Sequence, residues 1–159
     1  MSIAPLPLLL LLALAGADSR PPQAPGTIHP DPTRPCPGAR PHDICFATPQ
    51  DGVARAEFRS VPFYAVILRT AAPCAVTERE RLAAQARFPR NKVFALRFGC
   101  DDDVENNVSY TNVNEQYSFM AVYAGATREQ AASFLRRVQA TGRYPGANLR
   151  RMQAVLAYT

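Results

Sequence analysis

SFMAVYAGATREQAASFLRRVQATG, Ser118 to Gly142, is the stretch whose reading decides the fold. Phe119 to Ala124 supplies β-favouring apolar and aromatic residues, and Gly125 punctuates them. Thr127 stands three residues before Gln130, the capping-box spacing in which two side chains satisfy orphan N–H groups of a first helical turn. Ala131, Phe134, Leu135 and Val138 follow at helical spacing as one apolar stripe. Arg136 and Arg137 lie where cations oppose the helix dipole, and Gly142 is placed to close the helix. The unit is therefore strand, turn, capped helix.

A weaker copy precedes it. Phe63 to Arg69 reads as a strand, Thr77 and Glu80 repeat the capping box, and a helix is expected from Glu78 to about Arg87 with Leu82 and Ala86 on one face. Phe88-Pro89 stops that helix, and Val93 to Phe98 is a second strand. Gly99 to about Gln116 is rich in Asp and Asn and reads as a long loop. After the opening unit, Arg143 to Gly146 is a turn, Ala147 to Met152 is one helical turn or the approach to a strand, and Gln153 to Tyr158 is the last strand. The order β-α-β-β-α-β, with right-handed crossovers, predicts an α+β, ferredoxin-like domain: a four-stranded antiparallel sheet with both helices on one face.

Ahead of this domain, residues 1–17 read as a secretory signal peptide: an apolar run from Leu6 to Leu14, then Ala15-Gly16-Ala17 as a small-x-small cleavage pattern before Asp18. The run is too short to span a bilayer, and no Lys or Arg precedes it. The expected protein is exported, to the periplasm or the extracellular space, with no transmembrane segment. Residues 18–52 are Pro-rich, which denies the backbone donors that helix and sheet need, and read as an extended arm or linker carrying both histidines, His29 and His42. Residues 53–159 form the domain. The formal charge is +5, and every cation except Lys92 is arginine. A basic exported chain fits acidic envelope polymers as neighbours, although a surplus of this size also fits ordinary solubility, and nucleic acid is not expected as a partner. Four cysteines in an exported chain favour disulfides over zinc. Of the three possible pairings, Cys74–Cys100 within the domain and Cys36–Cys45 within the arm are favoured.

Alternation along the strands assigns faces. Ala65, Ile67, Phe94, Leu96, Phe98, Met120, Val122 and Ala124 are expected to face the helices. The opposite parity leaves Tyr64, Val66, Leu68, Arg97, Tyr117, Phe119, Tyr123, Leu156 and Tyr158 on the other face. Four tyrosines and an arginine among apolar residues can stack on flat ligand faces while their polar ends hydrogen-bond. The same face is also apolar enough to be covered by the arm or by a second subunit.

The run AVYAGATREQAASFLRRVQATGRYPGANLRRM resembles a SPOR domain, the sporulation-related repeat of the bacterial envelope. Val122, Gly125, Ala131, Gly142 and Ala147 occupy places comparable to the family's pattern, and the resemblance covers Pro62 to Thr159. In the first strand, Ala65-Val66 and Leu68-Arg69 stand where the family usually carries Val-Gln and Gly-Ser. The resemblance implies two pseudo-repeats that bind peptidoglycan glycan strands through the sheet face without catalysis or cofactor. Tyr64, Arg97, Tyr117, Tyr123 and Tyr158 are the expected ligand-binding residues, with peptidoglycan or another envelope polysaccharide as partner. A structural protein using the same face for a homodimer or a protein partner is the alternative.

Other chemistry has weaker support. Asp101, Asp103 and Glu105 alternate beside Asn106 and Asn107, but no D-x-D-x-D-G loop is present, so a solvated acidic loop is expected rather than a calcium site. Asn107-Val108-Ser109 matches a glycosylation sequon, relevant only in a eukaryotic secretory pathway. Residues 53–159 hold no histidine, which removes Ser–His and Cys–His arrangements unless the arm folds back. A hydrolase built on Asp101 and Asp103 would need paired carboxylates that no spacing specifies.

Overall fold

The computed structural model of the chain describes residues 26–34, 36, 39–48, 57–96 and 108–157. The expected signal peptide, Arg97, Cys100, the acidic run Asp101–Glu105 and Tyr158 lie outside the described residues. The elements in order are β1 (Ile28–His29), β2 (Cys45–Phe46), β3 (Glu57–Arg59), β4 (Phe63–Ala71), α1 (Glu78–Arg87), β5 (Val93–Leu96), β6 (Val108–Tyr110), β7 (Ser118–Gly125), α2 (Arg128–Ala140), β8 (Asn148–Met152) and β9 (Ala154–Ala157).

Both helices start as their sequences require. In α1 the Thr77 hydroxyl accepts from the Glu80 N–H while the Glu80 carboxylate accepts from the Thr77 N–H, and in α2 Thr127 and Gln130 repeat the arrangement. The stripe on α2 buries Ala131, Phe134 and Val138 as expected. The expected face of α1 is reversed. Leu82 is 53% exposed, whereas Arg81 is 4% exposed. The Arg81 guanidinium is held in place by two bonds to Glu78, at 2.7 and 2.5 Å, and a third to the Val93 carbonyl at 3.1 Å. A buried cation is tolerable when its donors are filled in this way.

The fold is mixed α+β, and its strands pair antiparallel in three sheets. It is therefore not the single four-stranded ferredoxin-like sheet expected. The largest sheet has four strands in the order β5-β7-β4-β8, and its edge place is taken by Asn148–Met152 rather than by the expected last strand. The chain leaves that sheet at Gln153. Its backbone N–H donates to the Thr111 hydroxyl at 2.9 Å, and its amide donates to the Ser60 carbonyl at 2.8 Å. Beyond this pin, β9 lies between β3 and β6 in a second sheet. The strand β6 lies within the segment read as loop. It is only three residues long, too short for a periodic signal.

The third sheet is the hairpin of β1 and β2, formed by the segment read as a linker. Cys36–Cys45 closes it, as expected, with Cα atoms 5.8 Å apart. Gly26, at φ 85°, joins it to the domain, donating to the Ala47 carbonyl and accepting from the Val61 N–H, both at 2.7 Å. The hairpin also blunts the sheet edge at β5. The Lys92 N–H donates to the Pro30 carbonyl at 2.7 Å, and the Ala95 N–H donates to the His42 carbonyl at 2.9 Å.

Two cores result. Val66 and Leu68 of β4, Val93 and Ala95 of β5, and Met120, Val122 and Ala124 of β7 pack with both helices. Phe63, Ala65, Ile67, Phe94, Leu96, Phe119 and Ala121 point the other way, into a second core with Ile28, Ile44, Phe46, Phe58, Tyr110 and Ala154. The expected parity thus holds for β7 and is inverted for β4 and β5. The reason is that the sheet is buried on both faces, so its strands read as unbroken apolar runs without alternation.

Candidate binding cleft

The described tyrosines expected to share one binding face do not meet. Tyr64 is half-buried against the helix-side core. Tyr123 is half-buried on the opposite side of the sheet, its ring 5.9 Å from that of Phe63. Burial raises the Tyr123 phenol above its ordinary value. Tyr117 alone of the three stands in the open, at 45% exposure. The far face of the sheet is occupied by the hairpin and the second sheet, so the arm supplies the cover that an apolar face requires.

Tyr117 borders a cleft of about 850 Å³. Its floor is Ile67 and Phe119, one wall is Thr70 of β4 with Asn148 and Arg150 of β8, and the other is the segment Asn112–Tyr117 that joins β6 to β7. That wall is folded on itself: the Asn114 carboxamide accepts from the Gln116 N–H at 3.0 Å, and the Asn114 carbonyl accepts from the Tyr117 N–H at 3.2 Å. Asn112 adopts φ 59°, and its amide donates to the Arg151 carbonyl at 2.9 Å, which fixes the wall to β8. One cation, Arg150, and one carboxylate, Glu115, line the cleft, so its formal charge balances. Carboxamides offer donors and acceptors together, and an exposed phenol offers a flat apolar face with a polar tip. Such a lining suits a neutral polyhydroxylated ligand better than a strong anion.

The sequence identified Tyr117 but missed Thr70, Asn112, Asn114, Asn148 and Arg150. The available signal was the density of Asn and Gln after Val108, in the second half of a segment read as one long, solvated loop.

The arm does fold back, and it brings both histidines into the interior. His29, His42 and Asp43 are 8%, 7% and 3% exposed. The Lys92 ammonium donates to the Pro41 carbonyl at 2.6 Å; burial lowers its pKa, the nearby Arg81 lowers it further, and Asp43 and Glu78 oppose the shift. Tyr110, fully buried, accepts the Ile44 N–H at 3.1 Å, and burial, reinforced by Asp43, pushes its phenol well above the usual range. This junction holds the hairpin down. Among the described residues no group of three or more His, Cys, Asp or Glu is placed to hold a metal ion, and no helix is long and apolar enough to cross a membrane. Cys74, at φ 61°, is disulfide-bonded, and the expected pairing with Cys100 lies outside the described residues.

Comparison of the chain with family models, with curated proteins and with solved structures finds no match.

Proposed function

We propose that the protein is an exported, non-catalytic envelope-binding module that takes a polyhydroxylated glycan, such as a peptidoglycan strand, in the cleft beside Tyr117. The observation that carries this reading is the pairing of a half-exposed tyrosine with a charge-balanced wall of carboxamides. The site moves from the sheet face to the cleft because that face is filled by Ile44, Phe46 and Phe58. The SPOR-like reading draws support from the four-stranded sheet, whose order β8-β4-β7-β5, with helices following β4 and β7, is that of a ferredoxin-like unit. The second sheet and the hairpin are additions to such a unit.

Co-sedimentation with purified peptidoglycan, before and after amidase treatment to remove stem peptides, tests the reading. Retention should rise on the stripped material, and Tyr117→Ala should weaken it by roughly three- to tenfold, the worth of one stacking contact. Tyr64→Phe, on the far side of the sheet, should leave it unchanged. No retention on either preparation would remove the glycan reading, and full retention by Tyr117→Ala would remove the cleft.

A second reading, an interaction protein, rests on α1, which turns Leu82, Ala83 and Ala86 outward. It predicts a dimer by sedimentation velocity that Leu82→Glu dissolves.

A further inference from the structure

We propose that the groove between α1 and the turn that follows α2 is a second binding site, for a carboxylate carried on a short aliphatic stem. The groove has a volume of about 400 Å³ and lies on the opposite side of the four-stranded sheet from the cleft. Its floor is apolar, made by Leu68, Ala84 and Met120, all buried. Its rim carries three guanidiniums, those of Arg69, Arg87 and Arg143, against one carboxylate, that of Glu80.

The carboxylate is already engaged. Glu80 accepts the Thr77 N–H at 2.9 Å and the Thr77 hydroxyl at 3.1 Å, and it is paired with Arg69. Arg87 and Arg143 are both exposed, and among the described residues neither forms an ion pair. Arg87 stands in the last turn of α1 and Arg143 follows the end of α2, where a cation opposes the helix dipole. That role uses their charge and leaves their N–H donors to water. Two exposed guanidiniums without an ion pair at the rim of one groove offer the N–H donors that a carboxylate accepts. The apolar floor beneath them gives a stem of a few carbons a place out of water. Tyr144 lines the same rim, its ring 6.2 Å from that of Phe88, which in turn packs on Phe134 at 5.6 Å, so the wall is tied to both helices.

This site does not rest on the glycan reading. It is tested by titrating the disulfide-bonded chain at low salt with hexanoate, and following the methyl resonances of Leu68 and Met120 together with the Nε–Hε resonances of Arg87 and Arg143. Hexanoate should give saturable shifts at all four residues. Hexanol, which lacks the charge, should give none at the arginines. The double variant Arg87→Gln/Arg143→Gln should bind hexanoate at least about tenfold more weakly, the loss expected for a charged hydrogen bond. Tyr117→Ala should bind as the parent does, which keeps this site separate from the cleft. Absence of saturation, or unchanged affinity in the double variant, overturns the site. Inorganic phosphate binding as tightly as hexanoate overturns the assignment of the stem.

Discussion

Gln85 sets the connection from α1 to β5 almost alone. Its amide donates to the carbonyls of Phe88 and Asn91, each at 2.9 Å, while its carbonyl oxygen accepts the Val93 N–H at 2.8 Å. Asn91 extends the chain of bonds by donating to the Tyr123 carbonyl at 2.9 Å. Gln85→Ala removes the bonds to the Asn91 carbonyl and the Val93 N–H, while the Phe88 carbonyl still accepts the Asn91 N–H at 3.1 Å, and should cost about 2–3 kcal/mol in urea denaturation. Gln85→Glu keeps the acceptor for Val93 but sets a carboxylate oxygen against two carbonyl oxygens, so it should not recover the loss at neutral pH. Titration supplies a second test at this scale. Buried Tyr110 has its pKa raised above 10.0, so the unfolded chain ionises first and stability falls as pH rises past about 10. Tyr123 acts in the same direction. Lys92 acts oppositely: its folded pKa is lowered from 10.5, so between that lowered value and 10.5 the unfolded chain binds more protons and stability rises with pH. Thermal melts across the alkaline range should therefore show a gain from Lys92 set against a loss from the two tyrosines. Lys92→Met should remove the gain, and Tyr110→Phe should shrink the loss.

At the scale of elements, what was legible was what depends on neighbours in sequence. The pairs Thr77 with Glu80 and Thr127 with Gln130 place both helix starts, because a capping box is closed within four residues. Which way a strand faces depends on what lies across it. Tyr64, Val66 and Leu68 are as apolar as Phe63, Ala65 and Ile67, and both sets are covered, so parity had no polar side to anchor it. The α1 face was misread for a related reason: Arg81 is buried only because Glu78 and the Val93 carbonyl receive it, and Val93 is twelve residues away. Gly125 carries a prediction at this scale. It adopts φ 138°, and a Cβ there would lie 2.8 Å from both Cβ and Oε1 of Gln130, the residue that closes the α2 capping box. Gly125→Ala should therefore combine backbone strain with a broken cap and cost roughly 1–3 kcal/mol in chemical denaturation. Gly142→Ala meets no neighbour within 4 Å, so it should report the strain of its φ of 66° alone and cost less.

For the whole molecule, the decisive fact is that one four-stranded sheet separates two cores closed by different means. The helix-side core is closed by chain-adjacent crossovers. The far core is closed by distant segments, the hairpin and β3 from the N-terminal side and β6 and β9 from later in the chain. Long-range closure of that kind leaves little local signature, which is why proline density read as a linker although Ile28, Ile44 and Phe46 are buried. The same asymmetry predicts how the protein comes apart. Cys36–Cys45 spans a separation of nine residues, and loop-closure entropy assigns a constraint of that length roughly 2–3 kcal/mol. The hairpin is otherwise held by Gly26 against Val61, by Ile44 against Tyr110, and along β5, where Lys92 donates to Pro30 and Pro41 and Ala95 donates to His42. In Cys36→Ser/Cys45→Ser the hairpin should release before the sheet does, because the bonds of β4 to β7 and β8 do not pass through it. Release uncovers Phe63, Phe94 and Phe119, so a dye that reports exposed apolar surface should bind at denaturant concentrations where the far-ultraviolet helix signal is still intact. A single transition, with dye binding and helix loss coincident as in the parent, would show that the two cores fold as one cooperative unit and that the hairpin belongs to it.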